Sequence, residues 1–278
     1  MPATLTVFWD YDTQWGGDRS RAGRGPRDFR TEFENTERLL EVHARYGVKA
    51  CFAVVGAAAL PGCQPYHDPA QIRRIHAAGH EVASHSFRHE WLPGLTGAAL
   101  RETLSLSKDA LEQCIGDSVQ TFVPPYNQPF DYPGGLAISL SERREAAGGR
   151  TGLADLCQAL AESGYRACRV AYSPLPYRLL EWAAGRRFER PRRPRAIAGV
   201  RCLRLNTPCG FGPLTEKIIE SNLDREGLWV VYGHPHSTTE DGAQSISHLE
   251  RLLGVVNGWE RQGRIKSVLP REMLTAVA

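Results

Sequence analysis

Short apolar runs alternate with amphipathic stretches along most of the 278-residue chain. The run Leu5 to Trp9, apolar but for Thr6, reads as a first strand. A helix is expected from about Thr31, where Thr31 and Glu34 have capping-box spacing and Gly47 supplies a stop. Ala50 to Val55 is the next strand, Pro69 to Ala78 a helix with proline in its first turn, and Glu81 to Ser84 a short strand running into a histidine. The clearest helix is Gly97 to Ile115. Leu100, Leu104, Leu111 and Ile115 recur there at helical spacing, with Thr96 as the expected N-cap and Gly116 beyond the end. Thr121 to Val123, Tyr165 to Tyr172, Arg201 to Leu205, Leu228 to Tyr232 and Ile265 to Leu269 read as further strands. Leu153 to Ser163, Pro213 to Leu223 and Ile246 to Gln262 read as helices, and two excursions near 127–150 and 174–200 as surface loops shaping a site.

Strands alternating with helices imply a parallel sheet covered by helices, and seven or eight strands favour closure into a barrel. Neither an internal repeat nor a linker divides the chain, so 1–278 is expected to form one domain. In such a barrel the reactive groups gather where the strands end. Asp10 and Asp12 end the first strand, and His85 and His89 follow the third. Pro124, Pro125 and Tyr126 follow the fourth, while His234 and His236 follow Leu228 to Tyr232. Singly, these residues read as turn caps, surface histidines or a rigid turn. Four strand ends carrying them together point to chemistry. Two imidazoles and a carboxylate form a three-ligand site that leaves a position for water. A divalent ion there lowers that water's pKa to about 7 and polarises a carbonyl. A second carboxylate as base and a histidine as acid complete the set for amide hydrolysis.

Composition narrows the setting. With 42% hydrophobic and 23% charged residues the chain can bury one large core, and it has no apolar run of membrane-spanning length. The opening MPATLTVFWDYD reads as a strand and not as a signal peptide. Seven cysteines (51, 63, 114, 157, 168, 202 and 209) form no C-x-x-C pair and are expected to pack as small apolar residues in a reducing compartment, the cytoplasm. A net charge of +3 argues against a dedicated nucleic-acid partner. The segment Arg186 to Arg195 carries six Arg against one Glu. It reads as a solvated loop, with contact to phosphate or a membrane surface as the alternative.

The motifs resemble those of the polysaccharide deacetylases, carbohydrate esterase family 4, which share the NodB homology domain. Phe8-Trp9-Asp10-Tyr11-Asp12 is similar to the first motif, in the variant with one residue between the aspartates, and His85-Ser86-Phe87-Arg88-His89 matches the second. Phe122-Val123-Pro124-Pro125-Tyr126-Asn127 resembles the third motif and Val231-Tyr232-Gly233-His234 the last. The resemblance implies a distorted (β/α)7 barrel holding one divalent ion, zinc with cobalt or nickel as alternatives, on Asp12, His85 and His89. It implies Asp10 as base, His234 as acid with His236 as a substitute, and Tyr126 with Pro125 beside the oxyanion.

The sequence departs from the family in two places. Val123 stands where the third motif carries an Arg that orients the catalytic Asp, a duty Arg88 could take. No Asp near Tyr165 to Tyr172 matches the one that tunes the histidine. The activity implied is removal of an N-acyl group, chiefly acetyl, from an amino sugar. The expected substrate is a nucleotide-linked, lipid-linked or small sugar intermediate of surface-polysaccharide or natural-product assembly. Trp9, Trp15, Trp91 and Tyr126 are candidates to stack on a sugar ring. Two other readings share the motifs: an allantoinase-like cyclic amide or imide hydrolase, and an inert carbohydrate-binding relative.

Overall fold

A computed structural model describes residues 2–19, 29–136, 149–183, 190–239 and 242–275. Its centre is β1, Ala3–Tyr11, in which every residue but Thr4 is buried. Alternation sends Leu5, Val7, Trp9 and Tyr11 outward against helices and Phe8 into the barrel interior, and Asp10 shares the inward side. One edge of β1 pairs in parallel with β8, Leu228–Gly233. The other edge is divided between β2, Cys51–Val54, at its C-terminal half and β9, Ile265–Ser267, at its start. From β2 the sheet runs through β3 (Glu81–Ser84), β4 (Thr121–Phe122), β5 (Ala167–Val170) and β7 (Val200–Arg204), all parallel. It ends on antiparallel β6, Arg195–Ile197.

The outer layer comprises α2 (Thr31–Tyr46), α3 (Pro69–Ala77), α4 (Gly97–Ile115), α5 (Leu153–Glu162), α7 (Pro213–Glu220) and α8 (Ile246–Arg261). Their apolar stripes cover the outward strand faces, among them Phe33, Leu39 and Val42 of α2 and Leu249, Leu252 and Val256 of α8. Gly47 ends α2 at φ 67°, as its position in the sequence suggests. The capping box expected at Thr31 and Glu34 does not form. Residue 30 is already helical there, and no side chain caps the first turn.

The expected α/β distorted barrel is borne out, and its distortion has a local cause. No ladder joins β7 to β8. Asn206, just beyond β7, bridges the gap with its side chain: Nδ2 donates to Leu228 O and Arg190 O, both at 2.8 Å, and Oδ1 accepts from Val230 N at 2.9 Å. A side-chain amide presents the same donor and acceptor as a peptide unit, so it stands in for a missing strand. Arg192 adds a backbone pair with Leu228.

The stretch 174–200 is therefore not the irregular loop expected from its arginines and prolines. It holds α6, Leu175–Ala183, then the seam-filling backbone of Arg190 and Arg192, then β6. Arg195 and Arg204 both pair with Asp131, and Arg193 pairs with Glu226. The described part of the basic segment thus serves the fold. Arg186 and Arg187 lie outside the described residues, as do 137–148 of the other excursion. No helix among the described residues is long and apolar enough to cross a membrane. Cys51, Cys157, Cys168 and Cys202 are buried as small apolar residues, whereas Cys63 is exposed, and all seven cysteines are unpaired.

At the barrel floor Glu81 is buried, accepting bonds from Thr121 Oγ1 and from the backbone N–H of Arg271. Burial pushes its carboxyl up to about 7. Because the folded state binds this proton more tightly, the stability it contributes is present below about pH 4.5 and is lost as pH rises through about 7. Glu81→Gln is expected to flatten the stability profile over that window in thermal melts. Asn206→Ala, which removes three hydrogen bonds at the seam, is expected to lower stability by about 3 kcal/mol in urea melts. A loss below about 1 kcal/mol would mean the seam is held otherwise.

Candidate metal and acid–base site

Asp12 follows β1 on a tight turn into α1, Thr13–Arg19. Thr13 takes a left-handed φ of 53°, which a β-branched residue adopts only under constraint. The constraint is Glu32 on α2, fully buried, whose carboxylate accepts from the backbone N–H of Asp12 at 3.0 Å and of Thr13 at 2.5 Å. Gly16 completes the turn: its N–H donates to Asp12 O, and a Cβ added there would lie 2.6 Å from Asp12 Cβ. Any side chain at Gly16 would push Asp12 out of place.

His85 and His89 sit on the loop after β3, where Ser86 and His89 also have positive φ, 62° and 58°. Ser86 anchors this loop: its carbonyl accepts from Gly56 N–H and Ser107 Oγ, and its hydroxyl accepts from Glu90 N–H. His85 Nδ1 lies 2.7 Å from Val123 O, and since a carbonyl only accepts, Nδ1 carries the proton of that bond. His89 Nδ1 lies 3.2 Å from the Tyr126 hydroxyl. Both rings thereby turn Nε2 toward Asp12 Oδ1, at 3.3 and 3.6 Å. Burial pushes His89 down to about 4, toward the neutral form a cation needs. Burial opposes ionisation of Asp12, but His89 and His85 outweigh it and hold the carboxyl below its usual range.

The donor set fits a divalent cation. One ligand atom from each of Asp12, His85 and His89 lies within 4.8 Å of the others, all three side chains are buried, and Asp12 Oδ1 accepts no hydrogen bond. A carboxylate oxygen buried without a donor is costly, and a cation is a partner that these three residues could share.

Asp10 is held differently. Arg169 of β5 grips both its oxygens, Nη1 to Oδ1 and Nη2 to Oδ2, each at 2.6 Å. The guanidinium is 1% exposed, lies 4.8 Å from the Tyr232 ring centre and 5.3 Å from that of Phe8, and donates also to Asn127 Oδ1 at 3.1 Å. Burial alone would raise the Asp10 carboxyl; Arg169 outweighs it and keeps Asp10 ionised. An arginine from another strand thus stands against Asp10, where Val123 offers no charge. Arg88 does not take that place, being exposed over Trp15 at 5.2 Å.

His234 follows β8, with Nε2 at 3.7 Å from Asp10 Oδ2 and Nδ1 at 3.9 Å from Cys209 Sγ. Burial would lower its pKa, but Cys209 and the carboxylates of Asp10 and Asp12 outweigh burial and raise it. Cys209 therefore stands behind the ring. His236 faces elsewhere: its Nδ1 is 3.7 Å from Asp12 Oδ2 and 3.6 Å from Glu32 Oε1, and its ring packs on Phe29.

Asp10, Asp12, His85, His89 and His234 thus converge, and Tyr126 touches the group through its hydroxyl on His89. Pro125 is buried beneath that turn. Of the aromatic candidates, Trp9 is excluded, since it faces the outer core, packs on Phe211 and donates to His43 Nε2. Trp15 packs near Tyr66 and Arg88, and Trp91 against Tyr126, both half-buried. Arg169, Glu32, Cys209 and Gly16 were not anticipated from sequence. An arginine in the otherwise apolar run Ala167–Val170 was the available signal for the first.

Comparison with known proteins agrees with the motifs. Residues 25–133 match the family model for polysaccharide deacetylase. A stretch of 92 residues is 29% identical to the uncharacterised protein YlxY of Bacillus subtilis strain 168, covering 33% of this chain and about a quarter of that protein's length (27%). Among solved structures, a protein from Mycobacterium smegmatis assigned as a polysaccharide deacetylase superposes with TM-score 0.63 at 16% identity, over 98% of this chain and 88% of its own. A mutant of a Bacillus anthracis carbohydrate esterase family 4 pseudoenzyme, with enzymatic activity restored, gives 0.53 at 15% identity over 98% and 67%. A family 4 carbohydrate esterase from Streptomyces lividans in complex with acetate gives 0.50 at 15% identity over 96% and 92%. The structural likenesses establish a shared fold.

Arg169→Met would strand the Asp10 charge in the interior and is expected to cost about 3–5 kcal/mol in urea melts. Adding Asp10→Asn to it should recover part of that loss, because no buried carboxylate is left unpaired. A double variant as unstable as the two single losses summed would show that the pair is not the source.

Proposed function

We propose that this chain, related to the polysaccharide deacetylases in motif and fold, is a metal-dependent hydrolase that removes an N-acyl group, chiefly acetyl, from an amino sugar. The observation that carries the reading is the division of labour between two aspartates near each other in sequence. Asp12 turns an unpaired oxygen toward two Nε2 atoms, while both oxygens of Asp10 are occupied by Arg169. One carboxylate is available to a cation and the other is kept from it.

Asp12, His85 and His89 would hold the ion, with zinc the best fit to two imidazoles and a carboxylate and cobalt or nickel as alternatives. Bound there, it would supply a polarised acyl carbonyl and a water acidic near neutral pH. Asp10, fixed in orientation by Arg169, takes the proton of the attacking water. His234, across from it at 3.7 Å and favoured in its protonated form, gives a proton to the departing amine nitrogen. Tyr126, in a left-handed turn at φ 57° and ψ 14°, directs its backbone N–H toward the developing oxyanion, with Pro125 fixing that turn.

The substrate would be an N-acetylated sugar in free, nucleotide-linked or lipid-linked form, its ring packed against Trp15 or Trp91. The unpaired cysteines suit action in a reducing compartment such as the cytoplasm.

Purified protein is expected to bind about one zinc per chain and to release acetate from N-acetyl amino sugars but not to open cyclic ureides. Asp10→Asn should reduce acetate release by about 10³-fold or more while leaving zinc content unchanged. Equal loss of both would place Asp10 among the ligands. His234→Ala should reduce turnover more than His236→Ala; the reverse order would move the acid role to His236. Ureide opening without acetate release would replace the sugar reading with that of a cyclic amidase.

A further inference from the structure

Buried carboxylates are rare without a function or a partner, and Glu32 carries one at 0% exposure beside another acid. Its two oxygens are spent on two successive peptide N–H groups, those of Asp12 and Thr13. These amides open α1 and have no intrahelical acceptors, so Glu32 satisfies them from a different helix. Glu32 Oε1 also lies 3.6 Å from His236 Nδ1, which in turn lies 3.7 Å from Asp12 Oδ2. One turn along α2, Asn35 Nδ2 donates to Pro235 O at 2.8 Å and Thr238 O at 3.0 Å, fixing the loop that carries His236. Asp12 is therefore bracketed: its main chain is gripped by Glu32, Oδ2 faces His236, and only Oδ1 is turned to His85 and His89.

We infer that Glu32 is a positioning residue that sets the metal affinity of the Asp12–His85–His89 site by clamping the turn on which Asp12 rides. The inference rests on the reading that a cation binds those three residues. Glutamate is required by the count of acceptors. Glutamine at position 32 presents one oxygen and one amide N–H₂ to two N–H donors, so one donor meets another donor. Aspartate keeps the charge but is one methylene short of reaching both amides. The strained φ of Thr13 would then relax, and the Asp12 carboxylate would lose its fixed aim.

The test is zinc affinity of the full chain, measured by competition with a chromophoric chelator on metal-stripped protein. Stability in urea is recorded alongside. Glu32→Gln is expected to weaken zinc binding about 10–100-fold, the range for loss of groups that orient ligands. Glu32→Asp should weaken it too. Leu39→Ala, on the same helix with its side chain in the outer core, destabilises the fold without touching the Asp12 turn and should leave zinc affinity within about threefold. Wild-type affinity in Glu32→Gln, or equal losses in Leu39→Ala, would overturn the inference. Full rescue by Glu32→Asp would also overturn it, since charge and not the clamp would then be at work. Failure of the wild-type chain to bind zinc would instead refute the metal reading on which it rests.

Discussion

Placing a guanidinium and a carboxylate inside a barrel costs several kcal/mol per ion unless each is matched in geometry. Among the described residues the barrel interior meets that condition where Arg169 closes two 2.6 Å bonds on Asp10 between the rings of Phe8 and Tyr232. Much else follows from it. β1 and β5 are far apart in the sheet, with β2, β3 and β4 between them, so the pair spans the interior like a strut. It keeps Asp10 ionised and oriented, and it leaves Asp12 as the acid with an oxygen to spare. His234 is then set opposite Asp10 and not opposite the imidazole pair.

A second set of ties comes from outside the barrel. α2 reaches over the rim with Glu32 and Asn35 and holds the loops after β1 and β8 in one frame. Without such ties each strand end would place its side chain independently, and the groups at issue must agree to within fractions of an ångström. The seam works on the same principle at lower stakes. Asn206 lets β7 and β8 stay apart without leaving buried peptide groups unpaired. The barrel is distorted, and the peptide groups of Leu228 and Val230 facing the gap are still paired.

The strand and helix order was legible because each element carries its own periodicity. Gly97–Ile115 appears at the residues its leucines mark, and the strand ends bearing Asp10, His85 and His234 lie where the apolar runs stop. What could not be read locally is what depends on contacts distant in sequence. Arg169 and Asp10 are 159 residues apart, and the polarity of an isolated arginine in a strand does not name its partner. Glu32 stands in the first turn of α2, and only the fold shows that its carboxylate serves another helix. The arginine-rich segment misled for the opposite reason. Its charges suggested solvent, while its backbone was filling a gap in the sheet. Trp9 sat beside the motif aspartates in sequence, yet strand alternation sent it to the other side of the sheet.

On the proposed reading, two nearby aspartates take different partners, Asp12 a cation and Asp10 an arginine. A zinc-soaked crystal of the protein, with anomalous diffraction collected at the zinc edge, tests this directly. One peak is expected, bounded by Nε2 of His85, Nε2 of His89 and the Asp12 carboxylate, at about 2.0–2.2 Å from each, with Asp10 still in the grip of Arg169. A peak with Asp10 swung away from Arg169 and onto the ion, or with His236 in place of either histidine, would contradict it.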